Sequence, residues 1–318
     1  MRRFFVVISL ALVSPLAAAQ APAYPTKPIR VVVASSPGGG LDFVARGVGQ
    51  QLTAAWGQSV VIDNRAGASG TIGAELVARA VPDGYTLLFV SASYAVNPSV
   101  YPKLPYDSIR DFAPITQATA QAQVLAVHPS VAARSLKDLV ALAKAAPGRL
   151  NYASPGDGSL SQLAFELFKA TAGVDIHHIP YKGAGLSTTA LASGEVQISS
   201  ASAVSMLPHV KSGRIRPLAS TGTRRAPALP DLPTMVEQGY PGATISGWYA
   251  FFAPARTPRP MVDKLNAELT RILQSPQMRE QLAREGSEPQ AGTPEQLAQH
   301  LAAEIGRLGK IVKAARGK

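Results

Sequence analysis

The sequence predicts an α/β fold of two lobes joined by two strands that cross between them. Three observations point there. Strand-like and helix-like segments alternate from the N-terminal third onward, which argues for parallel sheets with helical crossovers. The strand segments are near-continuous apolar runs, as expected when both faces of a sheet are covered. Two further apolar strands, at 123–127 and 247–253, each follow a proline-dense stretch, at 98–114 and 227–241, and read as crossings between the lobes.

Taken in order, 29–34 is a β-branched run ending at glycines, and 43–52 reads as a helix. A strand at 59–62, a helix at 73–80 and a strand at 86–90 follow. Ser135 caps a helix running to about Ala146, with Asp138 at its third position and an apolar face of Leu136, Leu139, Val140 and Ala143. Strands are expected at 150–153, 176–179, 196–199 and 216–220. The tail is helical: Met261, Leu265, Leu269 and Ile272 recur at helical spacing. Thr293-Pro294-Glu295-Gln296 opens a last helix with Thr as cap and Pro at the first position. The expected division is 1–21 as a leader, 22–122 with 249–318 as one lobe, and 123–248 as the other.

The leader reading rests on Arg2 and Arg3, an apolar run too short to span a bilayer, Pro15, and the small residues Ala17 to Ala19. It is a secretory signal peptide, which predicts a periplasmic protein. A twin-arginine reading fits the residues around the arginines poorly. The chain has 318 residues and no cysteine, which excludes disulfides, thiolate metal sites and a catalytic thiol. Its net charge of +11 is scattered. The one regular row, Arg307, Lys310, Lys313 and Arg316, reads as the solvated face of the last helix. A nucleic-acid partner is therefore not expected, and the modest consequence is a cationic field that speeds the arrival of small anions.

Two segments carry chemistry. Ser35-Ser36-Pro37-Gly38-Gly39-Gly40-Leu41-Asp42 follows a strand and opens a helix. Its glycines let backbone approach a ligand, and the helix start offers unpaired N–H donors and partial positive charge. Asp42 reads as the cap of that helix. Ser154-Pro155-Gly156-Asp157-Gly158-Ser159-Leu160-Ser161 repeats the grammar in the other lobe. One such loop per lobe can grip the two ends of a small acid across a cleft. The first loop lacks the spacing of a dinucleotide motif and the Lys-Ser/Thr of a phosphate loop.

A hydrolase lacks its GxSxG elbow here. No two of His128, His177, His178, His209 and His300 stand at metal-ligand spacing, so neither a metal nor a cofactor is expected. His177 and His178, neighbours in a strand, point to opposite faces and read as structural. Trp56 and Trp248 read as packing residues, with Trp248 close enough to a crossing to wall the cleft.

At this point the sequence resembles a known family, the Bug proteins, or TctC-like solute receptors of tripartite tricarboxylate transporters. The segments that carry the resemblance are PGGGLDFVAR from Pro37, NRAGASGTIGAE from Asn64, PDGYTLL from Pro82 and NPSVYPKLPYD from Asn97. PGRLNYASPGDGS from Pro147, IPYKGAG from Ile179, LPHVKSGRIRPLA from Leu207 and ALPDLPTMVEQG from Ala228 extend it over the whole mature chain. The resemblance implies a two-lobed periplasmic-binding-protein fold (type II, Venus flytrap) that closes on a small organic acid without catalysing a reaction. It also implies a partner, the membrane subunits of such a transporter.

The residues it assigns to the site are Ser35, Ser36, Gly38, Gly39, Gly40 and Asp42 in the first loop and Ser154, Gly156, Asp157, Gly158 and Ser159 in the second. It adds Ser91, Ser93 and Tyr94, and Ser200, Ala201 and Ser202, as segments bordering the pocket. Three departures bear on the ligand. Ser35 stands where many relatives have an aromatic residue, Gln162 where many have histidine, and Ala201 where an aspartate is common. Loss of that aspartate removes a partner for an ammonium group, so the expected ligand is a mono- or dicarboxylate, aliphatic or aromatic, without a free amine. The expected form is a monomer. A ligand sensor feeding a signalling system uses the same binding step, and an exported hydrolase is the third reading.

Overall fold

A computed structural model describes residues 24–316 apart from 182, 223, 224, 227 and 285; the leader expected at 1–21 lies outside the described residues. In chain order the first elements are β1 (Ile29–Val33), α1 (Gly40–Trp56), β2 (Val60–Asn64), α2 (Thr71–Ala78), β3 (Thr86–Ser91) and α3 (Ser93–Val100). A long β4 (Phe112–Val127) leads to α4 (Leu136–Ala145), β5 (Asn151–Ser154), α5 (Leu160–Ala172), β6 (His177–Pro180), α6 (Ala184–Ser193), β7 (Ile198–Ser202), α7 (Ala203–Lys211) and β8 (Arg216–Ser220). The chain closes with β9 (Ser246–Pro254), α8 (Arg259–Gln274), α9 (Pro276–Arg284), β10 (Ser287–Pro289) and α10 (Pro294–Arg316).

The strands run in the order β2-β1-β3-β9-β4-β7-β5-β6, with β8 and β10 also paired to β4. β1, β2 and β3 are mutually parallel, as are β5, β6 and β7, as the alternating pattern predicts. The joining strands are antiparallel. β4 changes partners along its length: Phe112 to Ala122 pair with β9, whereas Gln123 to Val127 pair with β7 and β8. This one strand therefore belongs to both sheets.

β4 begins eleven residues earlier than the expected strand, and Pro114 lies inside it. The ladder to β9 shifts register between Pro114 and Thr116, a bulge that accommodates a residue with no N–H to donate. On the return, Ser246, Gly247 and Trp248 pair with Ala122, Gln121 and Ala120, which places the second crossing at Ile245.

Period-two alternation sorts the apolar residues of the crossing strands onto opposite faces. Tyr249 and Phe251 pack with α1, α8 and α9, while Trp248, Ala250 and Phe252 pack with α2, α3 and α10. In the second sheet Leu125 and Val127 face α4 and α5, while Val124 and Ala126 face α6 and α7. α5 divides its loyalty. Phe165, Phe168 and Ala172 join the core of the second sheet, but Leu160, Leu163 and Ala164 reach the cluster of Trp248 and α10.

Candidate ligand-binding site

Because β1, β2 and β3 are parallel, their C-terminal ends share one edge, and so do those of β5, β6 and β7. Both glycine loops leave from these edges, where ligands of open α/β sheets sit.

In the first loop Ser36 to Gly39 are exposed and Ser35 is half-buried. Gly38 takes φ +81, a left-handed conformation that glycine adopts without penalty. Its N–H donates to Asp42 Oδ2 at 2.9 Å, and Arg46 Nε donates to the same oxygen at 2.9 Å. Arg46 also reaches Asn64 Oδ1, whose amide nitrogen donates to the Ser35 carbonyl. Asp42 is buried at 4 % exposure, and burial by itself raises its carboxyl pKa. The Arg46 and Asn64 side chains and the Gly38 N–H outweigh that and hold it below the ordinary value. Asp42 is therefore not the cap expected from the sequence: Gly39 holds the cap position, and Asp42, at the third position of α1, organises the loop through Gly38 and Arg46 because the helix already begins at Gly40.

The second loop repeats this construction. Gly158 N–H donates to Gln162 Oε1 at 2.6 Å, and Ser159 caps α5 by accepting the Gln162 N–H at 3.2 Å. Ser154 Oγ, fully buried, accepts the Gly156 N–H and lies 2.7 Å from His178 Nε2. His178 Nδ1 lies 3.3 Å from Gln162 Nε2 and 3.5 Å from Asp157 Oδ1. A serine, a histidine and an aspartate in this order suggest a nucleophile with its base. The burial contradicts it: Ser154 has no exposure and is bound at both ends of Gly156, whereas Asp157 is the solvent-facing member. These bonds shape a loop and present no attacking oxygen to a substrate.

The structure brings the second loop against the first lobe. A methyl built on Gly158 would lie 3.5 Å from Val100 and 3.8 Å from Ser69 Oγ. Ser69 escaped the sequence reading of the site. It and Ala68 hold φ of +54 and +45, rare for residues with a side chain and a form of stored strain. Asn97 and Tyr101 pin Ser69 through its carbonyl and hydroxyl, and Gly70 rests against Ala34 at the end of β1. The sequence signals were the flanking glycines, Gly67 and Gly70, and the family-like stretch from Asn64 that contains Ser69.

Other expected residues fall differently. Ser91 ends β3 and Ser93 opens α3, both half-buried on the same edge. Tyr94, expected to border the pocket, is a core residue: its ring packs on Tyr106, Phe112 and Phe252, and its hydroxyl donates to the Ser108 carbonyl. Ser200 and Ala201, expected just beyond a strand at 196–199, are buried inside β7 opposite Leu125 and Val124. The hydroxyl-rich Ser199-Ser200-Ala201-Ser202 hid a central strand that slides toward the C-terminus. Of the three, Ser202 alone is half-exposed, with its hydroxyl 3.1 Å from that of Ser205. Cavities of about 240 and 320 Å³ flank the crossing strands at Ala120 and Ser246, and the glycine loops stand outside both. Trp248 lines the larger one at 2 % exposure.

The family described as "Tripartite tricarboxylate transporter family receptor" matches residues 44–316. Rpa4515 of R. palustris, solved with adipate, superposes with a TM-score of 0.87 at 37 % identity, covering 92 % of this chain and 98 % of that one. The periplasmic binding protein BugD superposes at 0.83 with 32 % identity, over 92 % and 98 %. MatC (Rpa3494) of Rhodopseudomonas palustris, solved with malate, gives 0.83 at 32 % identity, over 91 % and 100 %.

Proposed function

The chain belongs to the tripartite tricarboxylate transporter receptor family, and from that premise we propose that it is a periplasmic receptor that closes on a small carboxylate and hands it to membrane subunits of such a transporter. The observation that carries the proposal is the repeated loop. Gly38 donates to Asp42 and Gly158 donates to Gln162, each pair four residues apart, and each stands at the start of a helix that follows a parallel strand. The proposed division takes 22–122 with 249–318 as one lobe and 123–248 as the other, and the pairing of Ser246, Gly247 and Trp248 with Ala122, Gln121 and Ala120 favours moving its second boundary back to Ile245. The protein acts as a monomer.

Adipate in Rpa4515 and malate in MatC favour a dicarboxylate that spans both loops. The sequence departure at Ala201, an alanine where an aspartate is common, favours a ligand without a free amine. Nothing is made or broken in this mechanism. A ligand that touches both lobes only when they are closed shifts the population by its differential affinity. Thermal-shift measurements with adipate, malate, benzoate and glutamate test the reading. Stabilisation by a carboxylate lacking an amine, with little from glutamate, is expected. A response to glutamate alone overturns the ligand class, and a response to no carboxylate overturns the proposal.

A further inference from the structure

We infer that His178 is the positioning residue of the second glycine loop: its neutral ring holds Ser154 and Gln162 at once, and through them sets the N–H groups of Gly156 and Gly158. This rests on the reading that the loop grips a carboxylate.

The hydrogen bonds fix the tautomer. Gln162 Oε1 is taken by the Gly158 N–H, so the amide turns its NH2 toward His178 Nδ1. Nδ1 must then accept, which leaves the ring proton on Nε2, aimed at Ser154 Oγ 2.7 Å away. Ser154 passes the order on. Its hydroxyl donates to the Gly156 carbonyl and accepts the Gly156 N–H, both at 3.2 Å. One imidazole on β6 thus braces the loop at its strand end through Ser154 and at its helix end through Gln162. The ring is itself supported by stacking on Tyr152, centroids 4.7 Å apart, whose hydroxyl donates to Glu166 at 2.6 Å.

A second proton disrupts this arrangement. An N–H at Nδ1 faces the NH2 of Gln162, donor against donor. That N–H turns instead to Asp157 Oδ1, which also accepts from Gln162 Nε2 at 3.3 Å, so the Gln162 amide loses the His178 acceptor and competes for the Asp157 one, and the orientation that aims Oε1 at Gly158 is no longer held. The charged groups around the ring are Asp157 of the loop, Glu166 and Lys169 of α5, and His177 of the same strand. Asp157, 3.5 Å from Nδ1, stands ready to neutralise an imidazolium, so the added charge does little for an anion while the loop geometry is lost. Burial is the leading influence on the ring and keeps it neutral at ordinary pH, ahead of the opposing pull of Asp157 and Glu166.

The test uses the mature protein, with adipate and malate as probes, and three forms: wild type, His178→Phe and His178→Gln. Phenylalanine keeps the stacking on Tyr152 and loses both ring bonds. Glutamine keeps a donor toward Ser154 and does not titrate. Calorimetric affinity should weaken about tenfold in His178→Phe, the effect of one well-placed hydrogen bond, and recover to within about threefold of wild type in His178→Gln. Wild-type affinity should fall more steeply than that of either variant as pH drops through the lowered value of the His178 ring, the shared part of the slope being the probes' own carboxylates.

The backbone amide resonances of Gly156 and Gly158 supply a readout that needs no ligand. Both should titrate in the wild type and in neither variant, with circular dichroism reporting the fold. Unchanged affinity and pH profile in His178→Phe, or glycine amides indifferent to pH in the wild type, overturn the assignment. If no probe binds at any pH while the amides still titrate, His178 keeps its role and the carboxylate reading fails instead.

Discussion

Gly158 donates its backbone N–H to Gln162 Oε1, four residues ahead and at the third position of α5, over 2.6 Å. Gly38 stands in the same relation to Asp42 at the third position of α1. The two loops share a frame and differ in charge. The first places an anion beside its helix start, offset by Arg46, and the second places a neutral amide there.

Substitution at Gln162 separates frame from charge. Gln162→Glu preserves an acceptor for Gly158 but adds a negative charge where a carboxylate arrives. We expect adipate affinity to fall at least about tenfold with little change in the urea midpoint. Gln162→Ala should lower both, with a stability loss of about 1 kcal/mol for the missing cap partner. Calorimetry and equilibrium unfolding measure the two quantities.

Gly156 holds φ +134, and a Cβ there would meet the Tyr181 carbonyl at 3.2 Å. A β-branched residue is strained on both counts. Gly156→Val should abolish adipate binding while far-ultraviolet circular dichroism is retained, at a stability cost of about 1–3 kcal/mol. Wild-type affinity in this variant would remove the second loop from the site.

How much of this could be seen in the sequence depended on distance along the chain. Ser135 does cap α4, accepting the Asp138 N–H at 3.1 Å. Thr293 and Gln296 form reciprocal bonds at the start of α10, as a capping sequence predicts. Both glycine loops were likewise visible because strand, loop and helix start are contiguous. Ser69 was not, since its importance comes from a contact with Gly158 in the other lobe. The role of His178 was missed because its partners lie 24 and 16 residues away and no local pattern joins them. Tyr94 was misplaced for the converse reason: a motif at a strand edge says nothing about which way a ring turns.

Stability should also depend on pH through three histidines. Burial, the leading cause in each, holds His178, His209 and His300 below the ordinary imidazole value of 6.5. The unfolded chain then binds protons that the folded chain resists, so the contribution is complete above about pH 6.5 and is lost as pH falls through the folded values. Asp42, Asp63 and Asp83 are also lowered, from 3.8, and act only in stronger acid. The melting temperature should drop by a few degrees between about pH 7.5 and about pH 5.5, less so in His178→Phe. A flat profile across that window would remove these rings from the account.

The hinge offers the last test. Thr221, fully buried, sits between the two crossings. Its hydroxyl accepts the Gln123 N–H at 3.1 Å and donates to the Ile245 carbonyl at 2.7 Å, and its own N–H donates to the Gln123 carbonyl. Gln123 in turn holds Ser161 of α5, so the hinge is tied to the helix that carries the second loop. Thr221→Val keeps shape and burial but leaves a buried N–H and a buried carbonyl without that partner, at a cost of about 1–3 kcal/mol. A loss confined to stability makes Thr221 a packing residue. If it couples the crossings, the variant should also open more readily, with a larger radius of gyration by small-angle scattering in the absence of adipate and convergence on the wild-type value when adipate is saturating.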